Sequence, residues 1–288
     1  MIFENDIINR LIELINIKSV SNEKIKKIEA ILSNKKIVVA FSGGVDSSLI
    51  AYLAKKFGMD AYAITIKNEF ITDEEFEAAK SVANEIGINW NSIQINVLTD
   101  PIIQNNPPDR CYFCKKKIMR TLENIRKIEK FDIIVDGTNA DDANEYRPGL
   151  LASEELNIIS PFKEVGMTKD EIRNVSKEFE LSTWNKPSMA CIATRFPYFD
   201  SLDPKKIEMV RKSEFYIKNE FKIQVLRVRF QNDEARIEIG SNEMEKILNN
   251  TSLRKINDQL KINGFKKVFL DLAGYQSGIY DKTQLNID

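Results

Sequence analysis

The stretch Lys35–Gly58, KKIVVAFSGGVDSSLIAYLAKKFG, decides the fold. Its first part, KKIVVAF, is an apolar, β-branched run of strand length that ends at Phe41. Its last part, SLIAYLAKKF, is a helical stretch that stops at Gly58. Between them lies Ser42-Gly43-Gly44-Val45-Asp46-Ser47-Ser48. Two glycines let the backbone turn tightly and bring its N–H groups toward an anion. The helix that follows adds its positive end. The hydroxyls of Ser42, Ser47 and Ser48 complete a phosphate cradle. No GK[ST] is present, so this is not a loop that holds a γ-phosphate for transfer. The plain alternative is a Gly-Ser turn between a strand and a helix.

Outward from this stretch, strand and helix alternate. The spacing predicts helices over 5–16 and 21–33, a strand at DAYAITI (60–66) and a helix over 72–87. Thr72 with Glu75 three residues later reads as a capping box. NSIQINV (91–97) is the next strand. This alternation implies βαβ crossovers and a parallel sheet. PIIQNNPPDR (101–110) is a turn-rich loop, because Pro107 and Pro108 do not suit a helix interior. A helix is expected over 109–130, and FDIIVDGTNADD (131–142) runs as a strand into a polar loop. Further on, a helix is expected over 168–180. The irregular stretch 181–202 reads as a domain boundary. Beyond it come a helix near 204–219, a hairpin of KIQVLRVRF and EARIEIG around QND, a helix near 242–260 and a strand, KKVFLDL. The expected division is 1–183, a linker over 184–202, and a small α+β domain over 203–288.

Composition removes whole classes of chemistry. The chain of 288 residues holds no histidine, so it has no Ser-His-Asp relay and no HExxH zinc site. Three cysteines are too few for a secreted disulfide framework. A net charge of −1 gives no global reason to bind nucleic acid or an anionic membrane. The N-terminal residues do not read as a signal peptide, and no run approaches a membrane span. A soluble cytoplasmic protein is expected, with no membrane partner and no nucleic acid.

Asp136-Gly137-Thr138-Asn139-Ala140-Asp141-Asp142 sits where a parallel strand would open into a nucleotide crevice. ATP chemistry needs Mg²⁺, which takes one or two carboxylates besides phosphate oxygens. Asp142 is the preferred ligand, with Asp136 or Asp141 as alternatives; an Asx-rich turn is the plain reading. Cys111 and Cys114 form Cys-x-x-Cys at a helix start, with both sulfurs on one face. Cys191 follows 77 residues later, in SMACIATRFP. A Cys111–Cys114 disulfide leaves Cys191 unexplained, and structural zinc would need an acid as fourth ligand. A [4Fe–4S] cluster on three cysteines leaves one iron open, which can bind an exogenous sulfide or substrate. The cluster is favoured over these and over three unrelated thiols. Arg227 and Arg229 share one face of a predicted strand and suit a phosphate, although from the residues alone the polar side of an amphipathic strand is the stronger reading. Arg195, close to Cys191, is a further candidate.

Two resemblances sharpen these readings. SGGxDS after an apolar strand resembles the PP-loop of the ATP pyrophosphatase superfamily, whose members cleave ATP between the α- and β-phosphates and hold pyrophosphate in this loop. That implies ATP and Mg²⁺, with Ser42, Gly43, Gly44, Asp46, Ser47 and Ser48 at the nucleotide. Four further motifs, in order, are Pro107–Lys115 (PPDRCYFCK), Lys186–Tyr198 (KPSMACIATRFPY), Arg227-Val228-Arg229 and Leu270–Gly278 (LDLAGYQSG). Together they resemble the LarE family, which inserts sulfur into the precursor of the nickel-pincer nucleotide. Some members sacrifice a cysteine matching Cys191; others carry three cysteines and a [4Fe–4S] cluster. The three-cysteine pattern here implies the second kind. Cys111, Cys114 and Cys191 would hold the cluster, and its open iron would carry hydrosulfide. The resemblance also implies a mononucleotide substrate whose phosphate meets Arg227 and Arg229, a sulfide donor, and a homo-oligomer. tRNA thiolation, an ATP-binding iron–sulfur sensor without turnover and an ammonia-using synthetase are the alternatives.

Overall fold

A computed structural model describes residues 22–144, 148–187 and 190–276. The expected helix over 5–16 lies outside the described residues, as do Ser188, Met189, Ser277 and Gly278 of the family motifs. The chain folds as two compact units. The first comprises the described residues of Met1–Lys67, Asp73–Ile95 and Cys111–Ser188. The second comprises those of Asn68–Thr72, Asn96–Arg110 and Met189–Asp288.

The first unit is an α/β layer structure around a four-stranded sheet. Strands β1 (Lys36–Ala40), β2 (Asp60–Lys67), β3 (Asn89–Gln94) and β4 (Ile133–Val135) lie in the order β3-β2-β1-β4, every pair parallel. The parallel sheet anticipated from the alternation is therefore present. A parallel sheet is covered on both faces, which is why KIVVA carries no polar alternation. Ile37 and Val39 point to one face. There they meet Ile28 and Leu32 of α1 (22–32), Leu49 and Leu53 of α2 (Val45–Phe57) and Val82 of α3 (Asp73–Ile86). Ile172 and Val175 of α8 (Lys169–Glu178) pack in the same cluster. Val38 points the other way, with Ile64 and Ile66 of β2, toward Met119 and Leu122 of α5 (Arg110–Ile128). Between α5 and α8 lie α6 (Gly149–Glu155) and the single turn α7 (Pro161–Glu164).

α8 starts where its sequence says it should. The Thr168 hydroxyl accepts from Glu171 N, and the Glu171 carboxylate accepts from Thr168 N at 2.7 Å, a reciprocal capping box.

The second unit is built on a three-stranded mixed sheet. β5 (Leu226–Gln231) and β6 (Glu234–Ile239) form an antiparallel hairpin, and β7 (Lys267–Leu270) adds parallel to β6. The hairpin turn is the residue pair Asn232-Asp233, with φ of 51° and 61°. Asn and Asp tolerate this left-handed region, which a tight hairpin requires. α9 (Pro204–Phe221) is capped by Asp203, whose carboxylate accepts from Lys205 N at 2.7 Å, and Pro204 sits at its first position. α10 (Asn250–Ile262) begins on Asn249, not near 242; a 3-10 helix occupies Ser241–Lys246 instead. The loop 96–110 belongs to this unit, with the four-residue helix α4 (Pro101–Gln104) inside it. Gln104 O accepts from Leu202 N at 2.8 Å, and Asn106 donates from Nδ2 to Pro197 O at 2.7 Å. No helix among the described residues is long and apolar enough to cross a membrane.

Candidate functional site

The turn after β1 has the geometry of an anion cradle. Gly43 adopts φ +68°, and a Cβ there would lie 2.6 Å from the Cα of Ala79. Both the handedness and the close approach of α3 therefore require glycine. Gly44 is the N-cap of α2, and no side chain caps that helix by hydrogen bonding to its first-turn N–H groups. Those donors point outward from a helix N-terminus, the arrangement that holds anions. Ser47 Oγ braces the turn: it accepts from Gly44 N at 3.2 Å and from Ser42 N at 3.3 Å. Ser48 Oγ donates to Gly44 O at 2.7 Å. Ser42 is exposed at the surface of the cradle, its Oγ 3.1 Å from that of Ser47.

Asp46 is held by the ammonium of Lys169, at the start of α8. That contact uses Oδ2 only; Oδ1 is buried with no hydrogen-bond partner. A buried carboxylate oxygen without a partner is costly, and a cation would satisfy it.

The acidic turn backs directly onto this loop. A Cβ on Gly137 would lie 2.8 Å from the Asp46 backbone and 2.9 Å from Ser47 N, so glycine lets the end of β4 close on α2. The three acids of the turn do different things. Asp136 is buried and accepts four hydrogen bonds: from Lys115 Nζ at 3.0 Å, Ser153 Oγ at 3.2 Å, Ser160 Oγ at 2.7 Å and Thr138 N at 3.1 Å. Burial alone pushes its carboxyl up, but the Lys115 charge and these donors hold it below the usual carboxylate range. Asp141 accepts from Lys169 N at 2.7 Å. Asp142 is buried and accepts from Asn139 N at 3.0 Å, while Asn139 Oδ1 takes Asp141 N and Asp142 N. Asp46, Asp141 and Lys169 thus form one connected group, and Asp136 forms another with Lys115.

Among the described residues, none of the three cysteines is joined in a disulfide. Cys111 is exposed and Cys114 half-buried, one turn apart in the first turns of α5. Cys191 is exposed in the second unit and is the N-cap of a 3-10 helix over Ile192–Arg195; its carbonyl accepts from Thr194 Oγ1 at 2.8 Å. Among the described residues, no three His, Cys, Asp or Glu side chains are gathered into one metal-binding group. As a donor set, three accessible thiols suit a soft iron–sulfur centre.

The three arginines gather in the second unit but are not equivalent. Arg195 is buried and pairs with Glu214, Nε to Oε1 at 2.8 Å and Nη2 to Oε2 at 3.1 Å. Glu214 is buried in α9 and also accepts from Val228 N at 2.9 Å. Its carboxyl, which burial alone would raise, is held low by Arg195. Arg229 is buried and pairs with Glu238 at 2.9 Å, and it donates to Thr194 O at 2.7 Å. Arg227 differs. It is half-buried, lies over the Tyr275 ring at 4.9 Å and donates to Leu226 O, and no carboxylate pairs with it among the described residues. Burial, then the neighbouring Arg195 charge, pulls its guanidinium below its ordinary pKa. An anion beside Arg227 would relieve that strain between like charges.

Lys115, Lys169, Glu214 and Glu238 were not singled out from the sequence as parts of a site. Each meets its partner across a fold contact, with no local motif to announce it.

A family model described as NAD synthase matches residues 14–136. A pyridinium-3,5-bisthiocarboxylic acid mononucleotide synthase of Lactiplantibacillus plantarum is 34% identical over 267 residues, covering 92% of this chain and 96% of that protein. An uncharacterised protein of Synechocystis sp. is 37% identical over 242 residues, covering 84% and 90%. Another, of Methanocaldococcus jannaschii, is 35% identical over 265 residues, covering 92% and 98%.

Proposed function

The chain belongs to the LarE family of PP-loop, ATP-dependent sulfurtransferases, and from that premise we propose that it inserts sulfur into pyridinium-3,5-biscarboxylic acid mononucleotide. The observation that carries this reading is the cradle at Ser42–Ser48, an uncapped helix start behind a left-handed glycine. The long likeness to a synthase of the bisthiocarboxylic product supports the choice of substrate.

In this reading a substrate carboxylate oxygen attacks the α-phosphorus of ATP, and pyrophosphate leaves into the cradle. The step is needed because a carboxylate oxygen is a poor leaving group and AMP a good one. The N–H groups of α2 and the hydroxyls of Ser42, Ser47 and Ser48 receive the charge that builds on the departing phosphates. Asp46, through its buried unpartnered Oδ1, and Asp142 would hold Mg²⁺. Asp136, already the acceptor of four donors, shapes the end of β4 instead. Arg227 binds the mononucleotide phosphate; Arg195 and Arg229, each paired with a buried carboxylate, position it.

A [4Fe–4S] cluster held by Cys111, Cys114 and Cys191 would supply sulfur as hydrosulfide on its open iron. The donor set supports this. Displacement of AMP from the acyl adenylate by hydrosulfide gives a thiocarboxylate, and repetition on the second carboxylate gives the dithio product. Hydrosulfide is already nucleophilic at neutral pH, which agrees with a chain that has no histidine.

The test is pyrophosphate release with and without the pyridinium mononucleotide, on protein purified without oxygen and counted for iron and sulfide. Substrate-dependent pyrophosphate with matching thiocarboxylate is expected, together with iron that is lost in Cys191→Ala. Zinc in place of iron would overturn the cluster. Loss of one sulfur from the protein mass after turnover would make Cys191 the donor instead.

A further inference from the structure

The cradle described above offers mainly neutral donors. Its one nearby lysine among the residues already placed, Lys169, has its charge met by Asp46. Pyrophosphate carries several negative charges, and a site that receives it in low dielectric is stronger with a cation that no carboxylate already neutralises. Lys186 meets that description at the loop: its Nζ lies 2.9 Å from the carbonyl of Gly43. Its acceptor there is a neutral carbonyl. No carboxylate forms an ion pair with it among the described residues, and Glu75 acts on it only at longer range. Lys186 is half-buried, and burial lowers its pKa from the ordinary lysine value. A charged group is therefore held, partly desolvated, against the rim of an anion cradle. That arrangement is unfavourable until an anion arrives.

The segment presenting Lys186 is also built. Arg173 of α8 donates from Nη1 to Trp184 O and from Nη2 to Lys186 O, each at 2.9 Å. Lys186 N donates to Thr183 O at 3.0 Å, closing the turn. At the start of the same segment, Ser182 N donates to Glu85 of α3 at 2.8 Å. The lysine is thus not a loose surface side chain, since its backbone carbonyl is fixed by a guanidinium.

We propose that Lys186 is the cation of the pyrophosphate site. It binds the β- and γ-phosphates of ATP, and then the released pyrophosphate, from the Gly43 side of the loop, and Arg173 is its positioning residue. The proposal rests on the reading that Ser42–Ser48 receives pyrophosphate. It goes beyond that reading by assigning the charge that makes the loop selective for the phosphate tail over the nucleoside.

Binding of three probes separates the possibilities: MgATP, magnesium pyrophosphate and AMP, measured by calorimetry on the full chain. Lys186→Met should weaken pyrophosphate and ATP at least tenfold and leave AMP within twofold. Lys186→Arg should restore most of the pyrophosphate affinity, because the charge is kept. Arg173→Met should weaken pyrophosphate by a smaller factor, again sparing AMP. With rising pH, pyrophosphate affinity of the unaltered chain should fall earlier than an ordinary lysine would allow, as Lys186 loses its proton, and Lys186→Arg should flatten that fall. Equal losses for AMP and pyrophosphate in Lys186→Met, or no loss for either, would overturn the proposal while leaving the loop assignment standing. Failure of the unaltered chain to bind pyrophosphate or ATP would remove the loop assignment and the proposal together. Unfolding midpoints of all variants guard against a folding defect, and Lys186→Gln provides a second neutral replacement if Lys186→Met does not fold.

Discussion

Replacing Asp136 with alanine should unfold the first unit well below the temperature of the unaltered chain. Its carboxylate is buried and accepts from Lys115, Ser153, Ser160 and Thr138. Removing it strands the Lys115 ammonium, whose side chain is only 27% exposed, and takes the acceptor from two hydroxyls and one backbone N–H. Loss of one partner from a buried ion pair costs roughly 3–5 kcal/mol. For a unit of this size each kcal/mol lowers the midpoint by about 2–4 °C, so a fall of roughly 6–20 °C is expected. Asp136→Asn keeps one acceptor oxygen and should fall less. Adding Lys115→Met to Asp136→Asn should recover part of the loss, since no stranded ammonium remains, and the double-mutant cycle should show a coupling of about 1 kcal/mol or more. The acid limb has a definite sign. The folded-state pKa of Asp136 is depressed, so its contribution is present above the unfolded carboxylate pKa and is lost as pH falls through the folded value. The unaltered chain should therefore lose more stability on acidification than Asp136→Asn. Thermal unfolding followed by circular dichroism at pH 7.5 and at falling pH reads all of this. An Asp136→Ala midpoint within 2 °C of the unaltered protein, with only a raised Mg²⁺ requirement, would show that the residue serves metal and that the structural account is wrong.

Gly43→Ala should cost at least about 1–2 kcal/mol from its left-handed backbone alone, before the 2.6 Å approach to Ala79 is counted, and should abolish tight ATP binding; unchanged calorimetric affinity would refute the cradle. Arg195→Ala leaves Glu214 buried and should destabilise the chain by about 3–5 kcal/mol in denaturant titrations, whereas Arg227→Ala should change stability by under about 1 kcal/mol and instead weaken mononucleotide binding. The reverse ranking would reverse the roles given to the two arginines. Single replacement of Cys111 or Cys114 by serine should remove iron from anaerobically purified protein without changing the metal-free unfolding free energy by more than about 0.5 kcal/mol, and full iron retention in both would exclude the pair as ligands.

What could be read from the sequence follows from the range of the forces involved. β1, its glycine turn and α2 were legible because strand, turn and helix chemistry are local there. So were the start of α8 near Thr168 and the existence of the hairpin. β3 was placed at 91–97 but runs over Asn89–Gln94, because its ends are set by pairing from Tyr62↔Asn89 to Lys67↔Gln94 and not by its own apolar residues. α10 was started too early because apolar periodicity continues through Met244 and Ile247. The side chain of Asn249 caps the true start, accepting from Ser252 N at 2.9 Å. Asp136 was read as a possible Mg²⁺ ligand because nothing in DGTNADD reveals that Lys115, Ser153 and Ser160 converge on it from other segments. Likewise Arg195, Arg227 and Arg229 look alike in sequence. Only the fold shows that Glu214 and Glu238 already meet two of them.

The capping box of α8 has a consequence for how the chain can be shortened. Glu171 not only caps Thr168 but also pairs with Lys24 at 2.7 Å, across 147 residues of sequence. The first residue of the helix, Lys169, grips Asp46 with its side chain and Asp141 with its backbone. Lys24, Glu171, Thr168, Lys169 and Asp46 are therefore successive links of one chain, running from the first described helix to the aspartate of the phosphate loop. A truncation that removes residue 24 takes nothing from the cradle itself, yet it unfastens the far end of the tether that keeps Asp46 in place.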